Sequence, residues 1–291
     1  MKDFTGRVAA ITGAGSGIGR ALALALARQG AHLALGDIDA AGLAGTATQC
    51  EKSGVRVTAH QLDVADRPAV YDWADSVVAE HGAVNLLVNN AGVALGATVE
   101  SMSYEDFEWL MNIDFWGVVY GTKAFLPPLK QSGEGHIVNV SSVFGLISVP
   151  SQSAYNAAKF AVRGFSDTLR MELEIDGANV SVTTVHPGGV KTNIARNARM
   201  DPSVRNAADD PEAAVRDVER AFITSPQKAA AQILTAVRRN RRRALIGPDA
   251  KAIDFVARLP AALYQSMLER GASSLRSRSL GTGPTGADGS S

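Results

Sequence analysis

The chain has 291 residues, of which 46% are hydrophobic and 20% charged, and its formal net charge is zero. This composition suits one large α/β domain and offers no basic surplus for binding nucleic acid. A single cysteine, Cys50, excludes an intramolecular disulfide, and no apolar run approaches the ~20 residues needed to cross a bilayer. The start also lacks a signal-peptide pattern, so we predict a cytoplasmic protein.

Short β-rich runs alternate with helical stretches along the chain. Most of them are continuously apolar, which is typical of strands buried on both faces of a parallel sheet. The runs are Val8–Thr12, His32–Asp37, Val55–Asp63, Leu86–Asn89, His136–Ser141, Ser181–His186 and Ala244–Ile246. They predict an α/β fold with a doubly wound, seven-stranded parallel sheet of the Rossmann type.

One domain is predicted over residues 1–250, with a long, polar and charged loop at about 190–225 that is able to close over a bound molecule. An amphipathic helical extension is expected at 251–270, interrupted near Pro260 and packed on the domain or on a partner subunit. The tail 271–291 is rich in Gly, Ser and Arg, which predicts disorder.

The first predicted strand leads directly into a glycine-rich turn, TGAGSGIG, and then into an Ala/Leu-rich helix. Glycines let the backbone turn tightly and approach a pyrophosphate, while free N–H groups at the helix end bind the anion. The strand–turn–helix context favours nucleotide binding over a purely structural turn. The candidate cofactor-binding residues in this turn are Gly13, Gly15, Ser16, Gly17, Ile18 and Gly19.

Two aspartates follow the next two strands. Asp37 lies about 20 residues past the glycine turn, where a carboxylate accepts hydrogen bonds from the adenosine ribose. Asp63, followed by Val64, either contacts the adenine or caps the next segment. Because the Asp37 carboxylate repels the additional phosphate of NADP, and Ser16 is uncharged, we expect NAD to be preferred over NADP.

Tyr155 and Lys159 are four residues apart, which places both on one face of a predicted helix. An ammonium favours the ionised phenol, so we expect a lowered pKa for Tyr155 and a role as general acid/base. Ser142, 13 residues upstream at a strand end, supplies a hydroxyl that polarises a substrate carbonyl; its spacing favours it over Ser141. A Tyr–Lys pair alone also occurs on ordinary amphipathic helices, so the hypothesis depends on all three residues together.

At this point the sequence resembles the short-chain dehydrogenase/reductase family over about residues 5–250. The matching segments are TGAGSGIG (12–19), LDV (62–64), NNAG (89–92), VNVSS (138–142), YNAAK (155–159) and HPGGVKT (186–192). The resemblance implies that Tyr155 donates and accepts the proton, Lys159 lowers its pKa and binds the nicotinamide ribose, and Ser142 holds the substrate oxygen. It implies no metal, and it implies a homodimer or homotetramer.

The resemblance also implies that Asn90 lies beside the cofactor and that the segment after the sixth strand meets the nicotinamide. The residues of that segment are Pro187, Gly188, Val190 and Thr192. One position departs from the family pattern: where an asparagine usually relays protons to the lysine, alignment on Gly117-Val118 gives Asp114. Asn112 is two residues out of register. An ionised Asp114 accepts a hydrogen bond but cannot donate one.

These features predict hydride transfer between NAD(H) and a secondary alcohol or ketone. The residues expected to line the substrate site are apolar, which indicates a small hydrophobic substrate; they are Val93, Leu95, Phe144, Leu146, Val149, Pro150 and Ile194. The alternatives are an NADPH-dependent ketoacyl-thioester reductase and a non-catalytic dinucleotide-binding regulator, which only Asp114 supports. Membrane-surface contact through residues 251–270 is the less favoured interpretation of that extension.

Overall fold

A computed structural model describes residues 1–205, 216, 220 and 222–280. The strands are β1 (Val8–Thr12), β2 (His32–Asp37), β3 (Val57–Gln61), β4 (Leu86–Asn89), β5 (Leu95–Gly96), β6 (Gly135–Val140), β7 (Val180–Pro187), β8 (Arg199–Met200) and β9 (Arg243–Ile246). Within the described residues, seven of them form one parallel sheet in the order β3-β2-β1-β4-β6-β7-β9. The predicted Rossmann-type fold is therefore confirmed.

Helices connect the strands. They are α1 (Gly17–Ala27), α2 (Ala40–Glu51), α3 (Arg67–His81), α4 (Tyr104–Met111), α5 (Gly117–Gln131), α6 (Ser153–Ile175), α7 (Pro202–Arg205), α8 (Pro226–Arg238), α9 (Pro248–Val256) and α10 (Ala261–Leu280). A π-helical turn, Asn112–Trp116, joins α4 to α5, and a 3₁₀ turn, Val143–Gly145, follows β6. None of the helices in the described part of the chain is long and apolar enough to cross a membrane.

The sheet is buried on both faces, as the continuous apolar runs predict. In β1, Ala9 and Ile11 pack into one core with α1 and α8, whereas Val8 and Ala10 pack into the other with α3, α5 and α6. Successive side chains of a strand point to opposite faces, so an all-apolar strand serves two cores at once. Because the seven strands are parallel, their carboxyl ends all lie at one edge of the sheet, and this edge carries the candidate site.

The third strand is shorter than the predicted Val55–Asp63. It ends at Gln61, and the chain then turns, with the Asp63 carboxylate accepting the Ala65 N–H at 2.9 Å. An aspartate that bonds the backbone two residues ahead closes a turn instead of continuing a strand.

The C-terminal extension forms two helices, and its bounds differ from those expected. The first begins at Pro248, because proline is well suited to an initial helical position, and the second starts after Pro260, which interrupts the helix as predicted. The second helix continues to Leu280, past the start of the tail for which disorder was predicted. Residues 281–291 of that tail, and 206–215, 217–219 and 221 of the predicted substrate loop, lie outside the described residues.

Candidate active site

The glycine turn forms an open cradle of backbone at the start of α1. Gly13 and Gly17 adopt φ values of +66° and +53°, which favour glycine, and a Cβ on Gly19 would overlap the Gly13 carbonyl oxygen. Ser16 is the N-cap residue of α1, but its side chain makes no capping hydrogen bond. The first-turn N–H groups of an 11-residue helix thus remain available for an anion, and the turn fits a dinucleotide pyrophosphate.

Asp37 lies against this turn, as expected from its position at the end of β2. Its carboxylate accepts the Gly15 N–H at 2.7 Å and the Asp39 N–H at 2.9 Å. The neighbouring cation, Arg20, binds the carbonyl oxygens of Gly15 and Gly42. A carboxylate therefore lies at the cradle while the guanidinium is held at the seam between α1 and α2.

Asp63 and Val64 lie at the end of the neighbouring strand. The Asp63 side chain is exposed and closes the turn with Ala65, so the capping interpretation describes its present contact. Val64 is buried, and a Cβ on Gly117 would lie 2.9 Å from its Cγ2. An adenine contact of Asp63 stays a prediction.

Two asparagines fix the ends of the central strands. The Asn90 amide donates to the carbonyl oxygens of Thr12 and Gly13 at 3.0 and 3.1 Å, which holds the glycine turn against β4. Asn89 is buried and donates to Asn139 Oδ1 at 2.8 Å, which joins β4 to β6. The cradle and the strand that leads to Ser142 are thus held together by buried hydrogen bonds.

The structure brings Ser142, Tyr155 and Lys159 together at the carboxyl end of β6. Ser142 is buried, and its Oγ accepts the Phe144 N–H at 3.1 Å. The Lys159 Nζ lies 5.4 Å from the centre of the Tyr155 ring, on the same face of α6. Ser141, the alternative serine, donates instead to the Lys159 backbone oxygen at 2.8 Å. Of the two serines, Ser142 is therefore the one with a hydroxyl proton free to donate into the site.

A buried ion pair connects Lys159 to Asp114. The Asp114 Oδ2 lies 3.1 Å from the Lys159 Nζ, and its Oδ1 accepts the Val93 N–H at 2.7 Å. Lys159 also donates to the Val140 carbonyl oxygen at 3.3 Å. Neither charge is exposed to water beyond a few per cent, so each depends on the other for compensation.

The π-helical turn Asn112–Trp116 directs Asp114 inward. Asp114 is fully buried, whereas Asn112, two residues earlier, is exposed. A π-helical turn accommodates an additional residue and often occurs at a functional site. The turn thus places Asp114, in register with Gly117, beside Lys159, and leaves Asn112 facing outward.

Electrostatics at this cluster differ from the expectation for Tyr155. Burial raises the pKa of Tyr155, and although Lys159 lowers it, Asp114 raises it again, so the net pKa lies above the usual value. The predicted lowering of the Tyr155 pKa is wrong, because the prediction considered only the Lys159 ammonium. It left out the burial of the phenol and the Asp114 carboxylate that pairs with the ammonium. For Lys159, burial lowers the pKa, but Asp114 and Tyr155 outweigh it and raise the pKa above its usual value. Lys159 therefore stays an ammonium.

The segment Pro187–Thr192 lies opposite the glycine turn. A Cβ on Gly17 would be 3.0 Å from the Thr192 methyl carbon, so the two segments line one crevice. Val190 is buried, and the Gly188 N–H donates to the Ile246 carbonyl oxygen at 3.0 Å at the end of β9. A Cβ on Gly92, just beyond β4 and beside the glycine turn, would lie 3.4 Å from the Lys159 Nζ, so the cradle and Lys159 lie at neighbouring strand ends.

Sequence reasoning missed two residues that support this crevice, His186 and Asp249. The His186 Nδ1 lies 2.8 Å from the Ser142 carbonyl oxygen, which can only accept, so this nitrogen carries the ring proton. Burial lowers the pKa of His186 to about 4, so the ring stays neutral. Asp249 accepts the Gly189 N–H at 2.6 Å. The His186 contact joins residues 44 positions apart and the Asp249 contact joins residues 60 positions apart, so local sequence spacing cannot predict either one.

The predicted apolar wall residues differ in burial and in position. Leu95 and Leu146 are buried, and Leu95 packs in a small core that Val93 and Tyr155 also contact. Three further wall residues are half-buried: Val93, Phe144 and Ile194. The Phe144 and Tyr155 rings are arranged edge to face, with 6.0 Å between their centres.

Val149 and Pro150 instead line an apolar groove of about 550 Å³. The groove also includes Phe160 of α6 and Leu268 of α10. The C-terminal extension therefore packs next to the loop that follows the 3₁₀ turn.

The first described part of the substrate loop is fixed to the body by β8. This strand pairs with β5 in a second, two-stranded sheet. The Arg199 guanidinium lies 3.6 Å from the centre of the Trp109 ring and 2.9 Å from the Asp106 carboxylate. These contacts hold this part of the predicted loop against α4.

Comparisons with known proteins agree with this geometry. A family model described as short chain dehydrogenase matches residues 7–203. SadH of Mycobacterium tuberculosis, which is named as an oxidoreductase, is 49% identical over 271 residues, covering 93% of this chain and 97% of SadH. A short-chain dehydrogenase/reductase from Burkholderia phymatum, solved in complex with NAD, is 34% identical with a TM-score of 0.81 and covers 92% of this chain and 97% of its own.

A third similar protein carries the other nicotinamide dinucleotide. It is an alcohol dehydrogenase from Thermococcus sibiricus complexed with 5-hydroxy-NADP, 29% identical with a TM-score of 0.62, covering 75% of this chain and 94% of its own. Structures similar to this chain thus hold either NAD or a derivative of NADP.

The buried ion pair yields a prediction about stability. Asp114→Ala leaves the Lys159 ammonium and the Val93 N–H without their partner, and we expect it to lower the free energy of unfolding by about 3–5 kcal/mol. Asn112→Ala, at an exposed position of the same turn, serves as the control and should change it by no more than about 0.5 kcal/mol. Urea unfolding at neutral pH measures both, and equal losses in the two variants would contradict the assigned register.

Proposed function

The chain belongs to the short-chain dehydrogenase/reductase family of oxidoreductases, and we propose that it transfers hydride between NAD(H) and a secondary alcohol or its ketone. The observation that carries the proposal is the cluster of Ser142, Tyr155 and Lys159 beside a cradle that fits a dinucleotide. A bound nicotinamide would supply or accept the hydride. The residues of the chain handle the proton and hold the substrate oxygen.

Tyr155 exchanges a proton with the substrate oxygen, and Ser142 donates a hydrogen bond to that oxygen. The Ser142 Oγ accepts the Phe144 N–H, and this contact leaves its own proton available for the substrate oxygen. His186 donates to the Ser142 carbonyl and holds the strand end in place. The two hydroxyls can thus bind one substrate oxygen from two sides.

The charges around Tyr155 set the pH at which it works in each direction. Its raised pKa keeps the phenol protonated at neutral pH, and this form delivers a proton to a ketone. Alcohol oxidation requires the phenolate and therefore becomes faster as the pH rises. Asp114 contributes to this bias because its carboxylate raises the pKa of Tyr155.

We expect an uncharged, apolar substrate. Val93 and Phe144 lie beside Tyr155, and neither offers a polar group to a ligand. We also expect a homodimer or homotetramer, for which exposed apolar side chains on the outer helices are the support. These are Trp116, Phe160, Met171 and Ile175.

The first prediction of this function concerns the proton. Tyr155→Phe keeps the ring and removes the transferable proton, so we expect turnover to fall by at least ~100-fold, as is typical for loss of a general acid/base. Cofactor affinity should remain, which separates a chemical loss from a structural one. Steady-state kinetics at the nicotinamide absorbance band and a cofactor titration measure the two properties. Near-normal turnover would remove Tyr155 from the mechanism.

A second prediction concerns pH. Asp114→Asn removes the negative charge that raises the pKa of Tyr155, so the alkaline rise of kcat/KM for alcohol oxidation should move to lower pH. Activity at neutral pH should be kept or increased. Asp176→Asn, which removes an exposed carboxylate at the far end of α6, is the charge-matched control and should leave the profile in place. A profile that stays fixed or moves upward in Asp114→Asn would contradict this assignment.

A third prediction concerns the preference for NAD over NADP. The Asp37 carboxylate lies at the cradle and repels the phosphate of NADP, while Arg20 is occupied by backbone carbonyls. Asp37→Ala should narrow the preference, mainly by improving kcat/KM with NADP. The measurement is the ratio of catalytic efficiencies with the two cofactors. A wild-type enzyme that favours NADP, or a ratio that does not change, would show that Asp37 does not contact the ribose.

A further inference from the structure

Asp249 connects the C-terminal region to the loop of the cofactor crevice. It lies in the first turn of α9, two residues beyond Gly247, and its Oδ2 accepts the Gly189 N–H at 2.6 Å. Gly189 belongs to the segment Pro187–Thr192, which lies opposite the glycine turn. A side chain outside the matched family segments thus makes a direct contact with this loop.

The surroundings of Asp249 are shaped to accept its carboxylate. A Cβ on Gly188 would overlap the Oδ2, and a Cβ on Gly247 would overlap the Oδ1. Gly247 also adopts a φ of +96°, which other residues rarely tolerate. The two glycines therefore allow the carboxylate to lie between the end of β9 and the loop.

The remaining described hydrogen bonds of the loop join backbone groups. The Gly188 N–H donates to Ile246, the Gly189 carbonyl accepts from the Thr224 N–H at 3.1 Å, and the Lys191 N–H donates to the Thr224 carbonyl at 2.9 Å. Ile246 at the end of β9 and Thr224, which forms an isolated bridge with Val190, supply these contacts. Asp249 adds a side-chain acceptor at Gly189, between them.

The second oxygen of the Asp249 carboxylate differs from the first. Its Oδ1 is buried and makes no hydrogen bond within the described residues. A buried acceptor without a partner lowers stability, so stability alone does not account for a carboxylate here. The first turn of a helix compensates part of this cost, because the helix dipole favours a negative charge at that end. The hydrogen bond with the Gly189 N–H is therefore the interaction that accounts for an aspartate at position 249.

From these observations we propose that Asp249 is a positioning residue for the cofactor: it holds the Pro187–Thr192 loop in the form that binds the nicotinamide. The proposal rests on the proposed function. Without the acceptor, the Gly189 N–H loses its partner and the loop must rearrange before the cofactor binds. Cofactor affinity should therefore depend on a residue that the dinucleotide need not touch.

The test is a titration of the full-length protein with NADH, followed by the change in nicotinamide fluorescence. Asp249→Ala should weaken NADH binding about tenfold, the loss typical of one buried hydrogen bond. KM for the cofactor should rise by a similar factor, whereas kcat at saturating cofactor should change by less than about threefold, because Tyr155 and Lys159 are untouched. Asp249→Asn keeps an acceptor oxygen and should restore NADH affinity to within about threefold of wild type.

Asp254→Ala is the matched control. Asp254 lies on the same helix and pairs with Arg243 and Arg258, so its removal should change stability without changing NADH affinity. If circular dichroism shows that Asp249→Ala does not fold, Asp249→Ser replaces it. The serine side chain is one bond shorter than that of aspartate, so its hydroxyl does not reach the Gly189 N–H, and we expect the same loss of NADH affinity.

The outcomes separate the inference from the function on which it rests. A wild-type protein that binds neither NADH nor NADPH overturns the proposed function. A wild type that binds, together with a folded alanine or serine variant that binds equally well, overturns the role of Asp249 and leaves the function intact. A folded Asp249→Asn variant as weak as the alanine variant overturns the assignment of the acceptor.

Discussion

The buried ion pair between Asp114 and Lys159 is the interaction on which the geometry of the site depends. Taking two charges out of water costs several kcal/mol per ion, so the pair persists only because other groups bond both partners. Val93 supplies an N–H to the carboxylate, and Val140 supplies a carbonyl to the ammonium. The pair thereby joins the π-helical turn, the loop after β4, the end of β6 and α6. Tyr155 lies one helical turn before Lys159 on α6, so this junction also fixes the position of Tyr155.

The same pair also determines the charge that Tyr155 experiences. With an asparagine at position 114, the ammonium would act on the phenol without compensation and favour its ionised form. With aspartate, the largest influence on the pKa of the phenol is its burial, which raises the pKa, and the carboxylate adds to this by offsetting the ammonium. We therefore expect an amide or a carboxylate at this position to give different pH dependences with the same site residues.

The sequence predicts the parts of this molecule that depend on local patterns. Apolar runs predict the strands, because a strand buried on both faces needs no alternation. Spacing predicts Ser142, Tyr155 and Lys159, because the residues lie on adjacent elements with known geometry. The pKa direction of Tyr155 could not be predicted, since it depends on burial by distant segments. His186 and Asp249 could not be predicted for a related reason, because each contacts a backbone group that is distant in the sequence.

The substrate side of the site is built by a different kind of contact. Ser142 and Lys159 are held by buried hydrogen bonds and charges, whereas residues 199–200 of the predicted substrate loop are held by a two-residue strand and by Arg199 on the Trp109 ring. An exposed cation over an aromatic ring contributes only about 0.5–1 kcal/mol, so such a contact is easily exchanged for another. If this loop contacts the substrate as proposed, we expect substitutions in it to alter substrate selection while leaving Ser142, Tyr155 and Lys159 in place. This division explains why the chemistry can be inferred from fixed spacings, while the identity of the substrate depends on residues that follow no common pattern.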